Sequence, residues 1–315
     1  MKKDIKEKDM LRKFLEVFWL RPENALWCAY QDSAYQKGPH KLTSPSLDFG
    51  AGNGLLSFVS MGGVISPEYD FFTNAGSLDA FHQGVDIYDS FSNPGKPEYI
   101  IKKPDQVIDF ALDHKENLLK QAEFLGVYEK LITADGNKAW PIESESLGSV
   151  ISNVLYWLSD KHHSFRELHR ILKKDGKAFL FLQTKNFTKF CISYHPENYP
   201  GYEQTLRKLN RNRIESHLWQ TDLKELQEMA TQYNFKLVHH QYCYSKLFLT
   251  MWDIGLRPLS PVLIDMANSF SAEERKKYKE KWVDILYEIL KPVYDQETEK
   301  DLKEGGYIFV VLQKK

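Results

Sequence analysis

The chain has 315 residues, with 42 basic and 43 acidic side chains and a formal net charge of −1. That balance, with no basic arm or long block of like charge, gives no support for nucleic-acid binding, and no apolar run approaches the ~18 residues of a membrane span. A hydrophobic share of 42% and a charged share of 27% are those of a soluble globule, long enough for one α/β core with insertions.

The first segment, "MKKDIKEKDMLRKFLEVFWLRPE", lacks the continuous apolar core of a signal peptide. Three widely spaced cysteines, Cys28, Cys191 and Cys243, argue against a disulfide framework. No CxxC or HExxH spacing is present, so no metal is expected. The expectation is a cytoplasmic chain.

Leu11, Phe14, Leu15, Phe18 and Trp19 recur at helical spacing; Pro22 interrupts, and "ENALWCAYQ" resumes as a second helix. After Gly38 and Pro39, strand and helix signals alternate, which predicts a mostly parallel sheet. "PSLDFG", "DQVIDFALD", "KLITAD", the start of "LGSVISNVLYWL" and "KAFLFLQT" read as strands. "KENLLKQAEFLG" reads as a helix between them, as does "SFRELHRILKKDG", with Ser164 as its N-cap and Gly176 beyond its end. Residues 186–219 are aromatic-rich and irregular. "TDLKELQEMATQY" is a helix opening at Thr221, and "FKLVHHQYCYS" a strand. Two Pro-bearing turns, a long helix near 272–290 and a last strand, "YIFVVLQ", complete the series.

The stretch "LDFGAGNGLLSF", residues 47–58, ends an apolar strand in an acid and three glycines at every second position. A dinucleotide fingerprint would place its third glycine at Leu55, and no Gly-Lys-Ser/Thr follows as a phosphate loop requires. A nicotinamide-dependent oxidoreductase is therefore disfavoured. The pattern Asp48-x-Gly50-x-Gly52-x-Gly54 resembles motif I of the class I S-adenosylmethionine-dependent methyltransferases. The donor in that family carries no phosphate, and glycines let backbone lie against its methionine and ribose portions. The later stations follow in order. Asp113 resembles the acid that closes the second strand and holds the ribose hydroxyls, a task suited to a carboxylate accepting two O–H donors. Asp86 in "GVDIYD" is the weaker alternative. Asp135, followed by Gly136, resembles the acid that meets the adenine amino group. "WPIESESLGSVISN" is similar to the family's approach to strand four, with Gly148 where Asp is frequent, and "RELHRILKKDGKAFLFL" to its helix-turn-strand.

The resemblance covers residues 47–58 and 105–184 and extends weakly to 221–245 and the final strand. It implies a Rossmann-like, seven-stranded, mostly parallel sheet with helices on both faces, an antiparallel last strand, and insertions forming a cap. It implies one methyltransferase domain over 1–315. A helical segment spans 1–40, a cofactor core 45–184 with an insertion at 59–104, and an acceptor-side cap with the last strands 185–315. The cofactor-binding set is Asp48, Gly50, Ala51, Gly52, Gly54, Asp113, His114, Asp135, Gly136 and Asn153, with S-adenosylmethionine bound and S-adenosylhomocysteine produced.

For the acceptor side the candidates are Tyr156, Trp157, His217 and Trp219. Aromatic faces there would stabilise a sulfonium or stack on an acceptor, and ordinary burial is the competing role. His195 is a weaker candidate, and His162 and His163 are expected in solvent. Trp19, Arg21 and Trp27 either close the site or, as preferred for the tryptophans, anchor packing. The insertion at 59–104 is a surface flap or a lid. An in-line methyl transfer to a small-molecule, glycan or lipid-linked acceptor is expected, with no catalytic base identifiable from sequence. An inactive cofactor-binding or scaffold protein of the same fold is the alternative.

Overall fold

Buried parallel strands must be apolar on both faces, because helices cover each side of the sheet. The central strands meet that condition. A computed structural model describes residues 9–73, 75, 95–210 and 213–315. Seven strands form one sheet: β1 (Ser46–Phe49), β4 (Ile108–Asp113), β5 (Tyr128–Thr133), β6 (Leu147–Ser152), β7 (Leu172–Gln183), β8 (Phe235–Cys243) and β9 (Tyr307–Lys314). Their spatial order is β5-β4-β1-β6-β7-β9-β8. β1 pairs in parallel with both β4 and β6, and Asp48 lies opposite Ala111 and Ile151. Only β9 runs against its neighbours, between β7 and β8. The expected architecture, with its reversed last strand, is the observed one.

Period-two alternation divides the core between the two faces. Phe179, Phe181, Phe309 and Val311 face one hydrophobic cluster, while Ala178, Leu180, Leu182 and Val310 face the other. The first cluster is roofed by α1 (Met10–Val17), α2 (Pro22–Lys37) and α3 (Leu55–Ser60). Pro22 stands in the first turn of α2, where its missing N–H removes no helical bond. The first turn of α2 buries a charged group. Glu23 is fully buried and is held by Arg21 at 2.9 Å and by Ser260 Oγ at 2.8 Å. On the β5 side, α4 (Glu116–Ala122) follows β4. The second cluster packs α5 (Lys161–Ile171) against the sheet.

Several boundaries differ from expectation. The N-cap of α5 is Asp160, which accepts from the His162 amide; Ser164 sits inside the first turn and donates its hydroxyl to the Asp160 carbonyl. The earlier carboxylate is the stronger cap. Chain leaves α5 directly into β7, so Gly176 lies within that strand, after Asp175 at φ 64°, where the register with β6 shifts. Beyond β7 come α6 (Asn186–Phe190), α7 (Glu203–Asn210), α8 (Arg213–Ser216) and α9 (Leu223–Gln232). α9 is capped by Asp222 rather than Thr221, through the Glu225 amide. The stretch expected as Pro-bearing turns is helical: α10 (Lys246–Thr250), a π-helical turn at Met251–Leu256 and α11 (Leu259–Asn268). Pro258 caps α11 and Pro261 lies in its first turn, positions a proline tolerates. The long helix, α12 (Ala272–Glu299), runs through Pro292 and opens with a capping box between Ser271 and Glu274.

In the insertion, β2 (Val64–Ile65) pairs antiparallel with β3 (Ile100–Lys102). Between them Tyr69, Phe71 and Phe72 are buried, and Asp70 receives Trp19 Nε1 at 3.1 Å and Arg275 Nε at 2.6 Å. This part is packed into the fold. Asp86 lies outside the described residues.

Candidate functional site

Where β1 and β4 end, the chain makes two successive tight turns. Gly50 and Ala51 both donate their amides to the Leu112 carbonyl, at 2.7 and 3.2 Å, which folds the glycine loop over the end of β4. Gly50 has φ 81°, and a Cβ there would stand 2.1 Å from Val154 Cγ2, so neither the conformation nor the space admits a side chain. Gly52, at φ 56°, has nothing within 4 Å of a built Cβ. The loop therefore presses against β6 on one side and opens onto free space on the other. Gly54 opens α3.

That space is a cavity of about 260 Å³. It is lined by Asp48, Gly50, Ala51, Gly52, Asp113 and His114 from the strand ends. Asn153, Tyr156, Trp157 and His217 line it on the far side. Asp135, Gly136 and Trp219 do not. Asp135 sits in an exposed turn, its carboxylate accepting the Asn137 amide at 2.9 Å and lying 3.7 Å from Lys138. Those bonds hold it below the usual carboxylate range, and its charge reaches His114 across the rim. The Gly136 carbonyl receives Trp140 Nε1 at 3.0 Å. Trp219 is wedged between the two hydrophobic clusters. His195 bonds the Thr188 carbonyl, and His162 and His163 bond Tyr233 and Lys138; none lines the cavity. Of the N-terminal trio only Trp27 reaches the site; Trp19 is buried and Arg21 is paired with Glu23.

Two carboxylates shape the cradle. Asp113 accepts the Gly52 amide on one oxygen and the Lys115 amide on the other, both at 2.9 Å, with His114 Nδ1 at 3.3 Å. Burial works to raise its pKa; the bonds from His114 and the two amides outweigh burial and hold it below the ordinary value. His114 is correspondingly raised by its bond to Asp113. Asp48 is more deeply placed. It accepts Ser57 Oγ at 2.5 Å and Tyr128 OH at 2.6 Å, bonds that tie motif and helix together, yet burial still pushes its pKa up.

Sequence reading missed residues on α2. Gln31 and Asn24 line the main cavity, and Gln31 Oε1 accepts Asn153 Nδ2 at 3.4 Å. A smaller cavity of about 40 Å³ adjoins it through Gln31, Asp48, Leu56, Ser57 and Asn153, and adds Asp32, a buried carboxylate whose pKa desolvation raises. Asn53 Nδ2 is buried in the glycine loop and finds no hydrogen-bond partner among the described residues. An orphaned donor and an unfilled space beside Gly52 fit a polar ligand at this wall.

His217 is the most perturbed group on the acceptor side. Its Nδ1 meets Gln183 Nε2 and Tyr194 OH, each at 2.9 Å. Burial first, and then the charges of Arg213 and Arg257, lower its pKa to about 3. It is a neutral imidazole; the Gln183 amide nitrogen can only donate, which makes Nδ1 the acceptor and leaves the proton on Nε2.

Residues 106–180 match the sequence model of a family described as a methyltransferase domain, a minority of the chain spanning β4 to the middle of β7. No curated protein matches the chain. Among solved structures it is similar to an S-adenosylmethionine-dependent methyltransferase of Thermotoga maritima, at 12% identity and TM-score 0.43, covering 97% of this chain and 100% of that one. Phosphoethanolamine N-methyltransferase 2 of Haemonchus contortus, in complex with S-adenosyl-L-methionine, aligns at 14% identity and TM-score 0.42, covering 98% of this chain and 61% of that one. The cyclase SpnF aligns at 12% identity and TM-score 0.45, covering 91% and 81%. The sheet order is that of a Rossmann-like methyltransferase fold, and residues 106–180 within it match the methyltransferase-domain family.

Proposed function

We propose that this chain is an S-adenosylmethionine-dependent methyltransferase that acts on a small-molecule, glycan or lipid-linked acceptor. The observation that carries the reading is the Asp113 carboxylate, bound to the Gly52 amide at the edge of the cavity. It is ionised, held in place by backbone, and available to two hydroxyl donors. In this reading Asp113 receives the ribose hydroxyls, and the open face of Gly52 receives the ribose and methionine portions. Asp32 and Asp48, which share the small adjoining cavity, take the α-ammonium. Leu118 and His114 form the wall for the adenine, and Asp135, outside that lining, acts on it through its charge on His114.

When bound, the cofactor supplies an electrophilic methyl group. The protein's own part is alignment and exclusion of water. Tyr156 and Trp157, at 6.0 Å and nearly perpendicular, present aromatic faces that favour a cationic sulfur. A neutral His217 adds no competing positive charge. Nor does it serve as a base, since its Nδ1 lone pair is taken by donors. The direct test is calorimetry with S-adenosylhomocysteine. Stoichiometric binding that weakens in Asp113→Ala supports the reading; absence of binding by the folded wild-type chain defeats it.

A further inference from the structure

The far side of the cavity joins an aromatic wall to a cation that has no acid beside it among the described residues. Arg213, at the start of α8, lines the cavity, with Cζ 5.4 Å from the Trp252 ring centroid. Its guanidinium makes, among the described residues, one long hydrogen bond, Nη1 to the Asn210 carbonyl at 3.4 Å. Among the described residues no carboxylate oxygen comes within 4.0 Å of its guanidinium.

Arg257 makes the contrast. It stands over the same ring at 5.0 Å, fully buried, and its charge is met by Asp253 at 3.2 Å. Asp253 is turned to Arg257 and to Ser193, whose amide and hydroxyl it receives at 2.8 and 2.7 Å. Arg257 thus has its own acid, whereas Arg213, which faces the cavity, has none within 4.0 Å among the described residues. Arg213 is half-buried, and an oxyanion in the cavity would meet its guanidinium through a forked, charge-assisted contact. His217 adds to the same side. With Nδ1 occupied, its remaining polar edge is the Nε2–H donor, and its ring lies parallel to Trp157, 6.1 Å away and 20° between planes.

Resting on the methyltransferase reading, we infer that the methyl acceptor is a small, flat molecule bearing a carboxylate or phosphate. Its oxyanion is received by Arg213 with the His217 Nε2–H, and its flat part lies against Trp252, Tyr156 and Trp157. A neutral sugar would leave the Arg213 charge unanswered.

The test uses the full chain, with and without S-adenosylhomocysteine. Benzoate, phenyl phosphate and neutral benzamide are titrated in turn, followed by tryptophan indole N–H chemical shifts. One of the two anions is expected to bind at least about tenfold more tightly than benzamide, and Arg213→Gln to remove that advantage, a loss of roughly 10- to 100-fold for a charge-assisted contact. Which anion wins distinguishes carboxylate from phosphate. Arg213→Gln is expected to bind S-adenosylhomocysteine within about twofold of wild type, which also shows that it folds. Equal binding of all three probes, or an anion preference that survives in Arg213→Gln, overturns the inference while leaving the cofactor reading intact. Failure to bind S-adenosylhomocysteine at all overturns the cofactor reading instead, and the anion titrations without it still report on Arg213.

Discussion

Replacing Asp113 by alanine removes the acceptor of two backbone amides and, in the proposed reading, of two ribose hydroxyls. The Gly52 and Lys115 amides lie at 2.9 Å from its two oxygens. Hydrogen bonds to charged groups contribute about 1.5–3 kcal/mol each. Taking the lower figure for two hydroxyls gives about 3 kcal/mol, or a loss of roughly 100-fold in cofactor affinity. The folding cost is smaller, about 1–2 kcal/mol, because both amides are half-exposed and water replaces the carboxylate; the variant is expected to stay folded with Tm lowered by a few degrees. Asp113→Asn keeps one acceptor oxygen but no charge, and belongs between, at about tenfold. Calorimetry with S-adenosylhomocysteine, paired with a thermal melt, separates the two effects. Asp86→Ala is the comparison and is expected to change affinity by less than about tenfold. Equal losses in the two alanine variants, or a larger one at Asp86, would refute the ribose assignment.

The two glycines of the loop predict opposite outcomes. Gly50→Ala drives a Cβ into Val154 and is expected to cost about 2–4 kcal/mol of stability from overpacking and left-handed strain together. Gly52→Ala carries only the strain, about 1–2 kcal/mol, but projects its methyl into the cleft, so cofactor affinity falls more than Tm; equal behaviour of the two would contradict the loop's placement. Tyr128→Phe deletes the 2.6 Å bond to Asp48 and is expected to lower stability by about 1–2 kcal/mol, read from urea melts. His217 has its folded-state pKa depressed from 6.5 to about 3, so above pH 6.5 it is neutral folded or unfolded and contributes no pH dependence. As pH falls through that window the unfolded chain takes up a proton that the native one refuses, and stability is lost at up to about 1.4 kcal/mol per pH unit. His217→Asn should flatten that part of the acid limb; an unchanged slope would show the ring to be titrating freely.

The sheet was readable because its central strands are short apolar runs closed by acids, and β4 carries Asp113 to the cavity as its order in the chain implied. Side-chain direction was less legible. Asp135 lies just past the end of β5 and Trp219 two residues from His217, yet one is turned into an exposed Asx turn and the other into the core. α2 escaped for a different reason. It is buried around most of its circumference, so it shows no single apolar stripe to set Gln31 and Asp32 apart as inward-facing polar groups. Arg213 and Trp252 belong to separate cap segments, and only the tertiary fold brings them together. Helix starts moved by one to four residues because nearby acids, Asp160 and Asp222, compete successfully with hydroxyls as caps.

One wall of the cleft comes from α2, and α2 is clamped from outside by α12. Arg12 of α1 meets Asp284, the Tyr287 hydroxyl donates to Asp9 at 2.6 Å, and Lys37 reaches the Thr298 carbonyl. The Tyr287–Asp9 partners are 278 positions apart in the chain. A ribosome must therefore deliver nearly the whole polypeptide before these contacts form, and such high contact order slows assembly. Until then the apolar residues of α1, such as Leu11, Phe14 and Leu15, lack the cover of Val283, Leu286 and Leu290, which leaves an early-synthesised face open to wrong contacts.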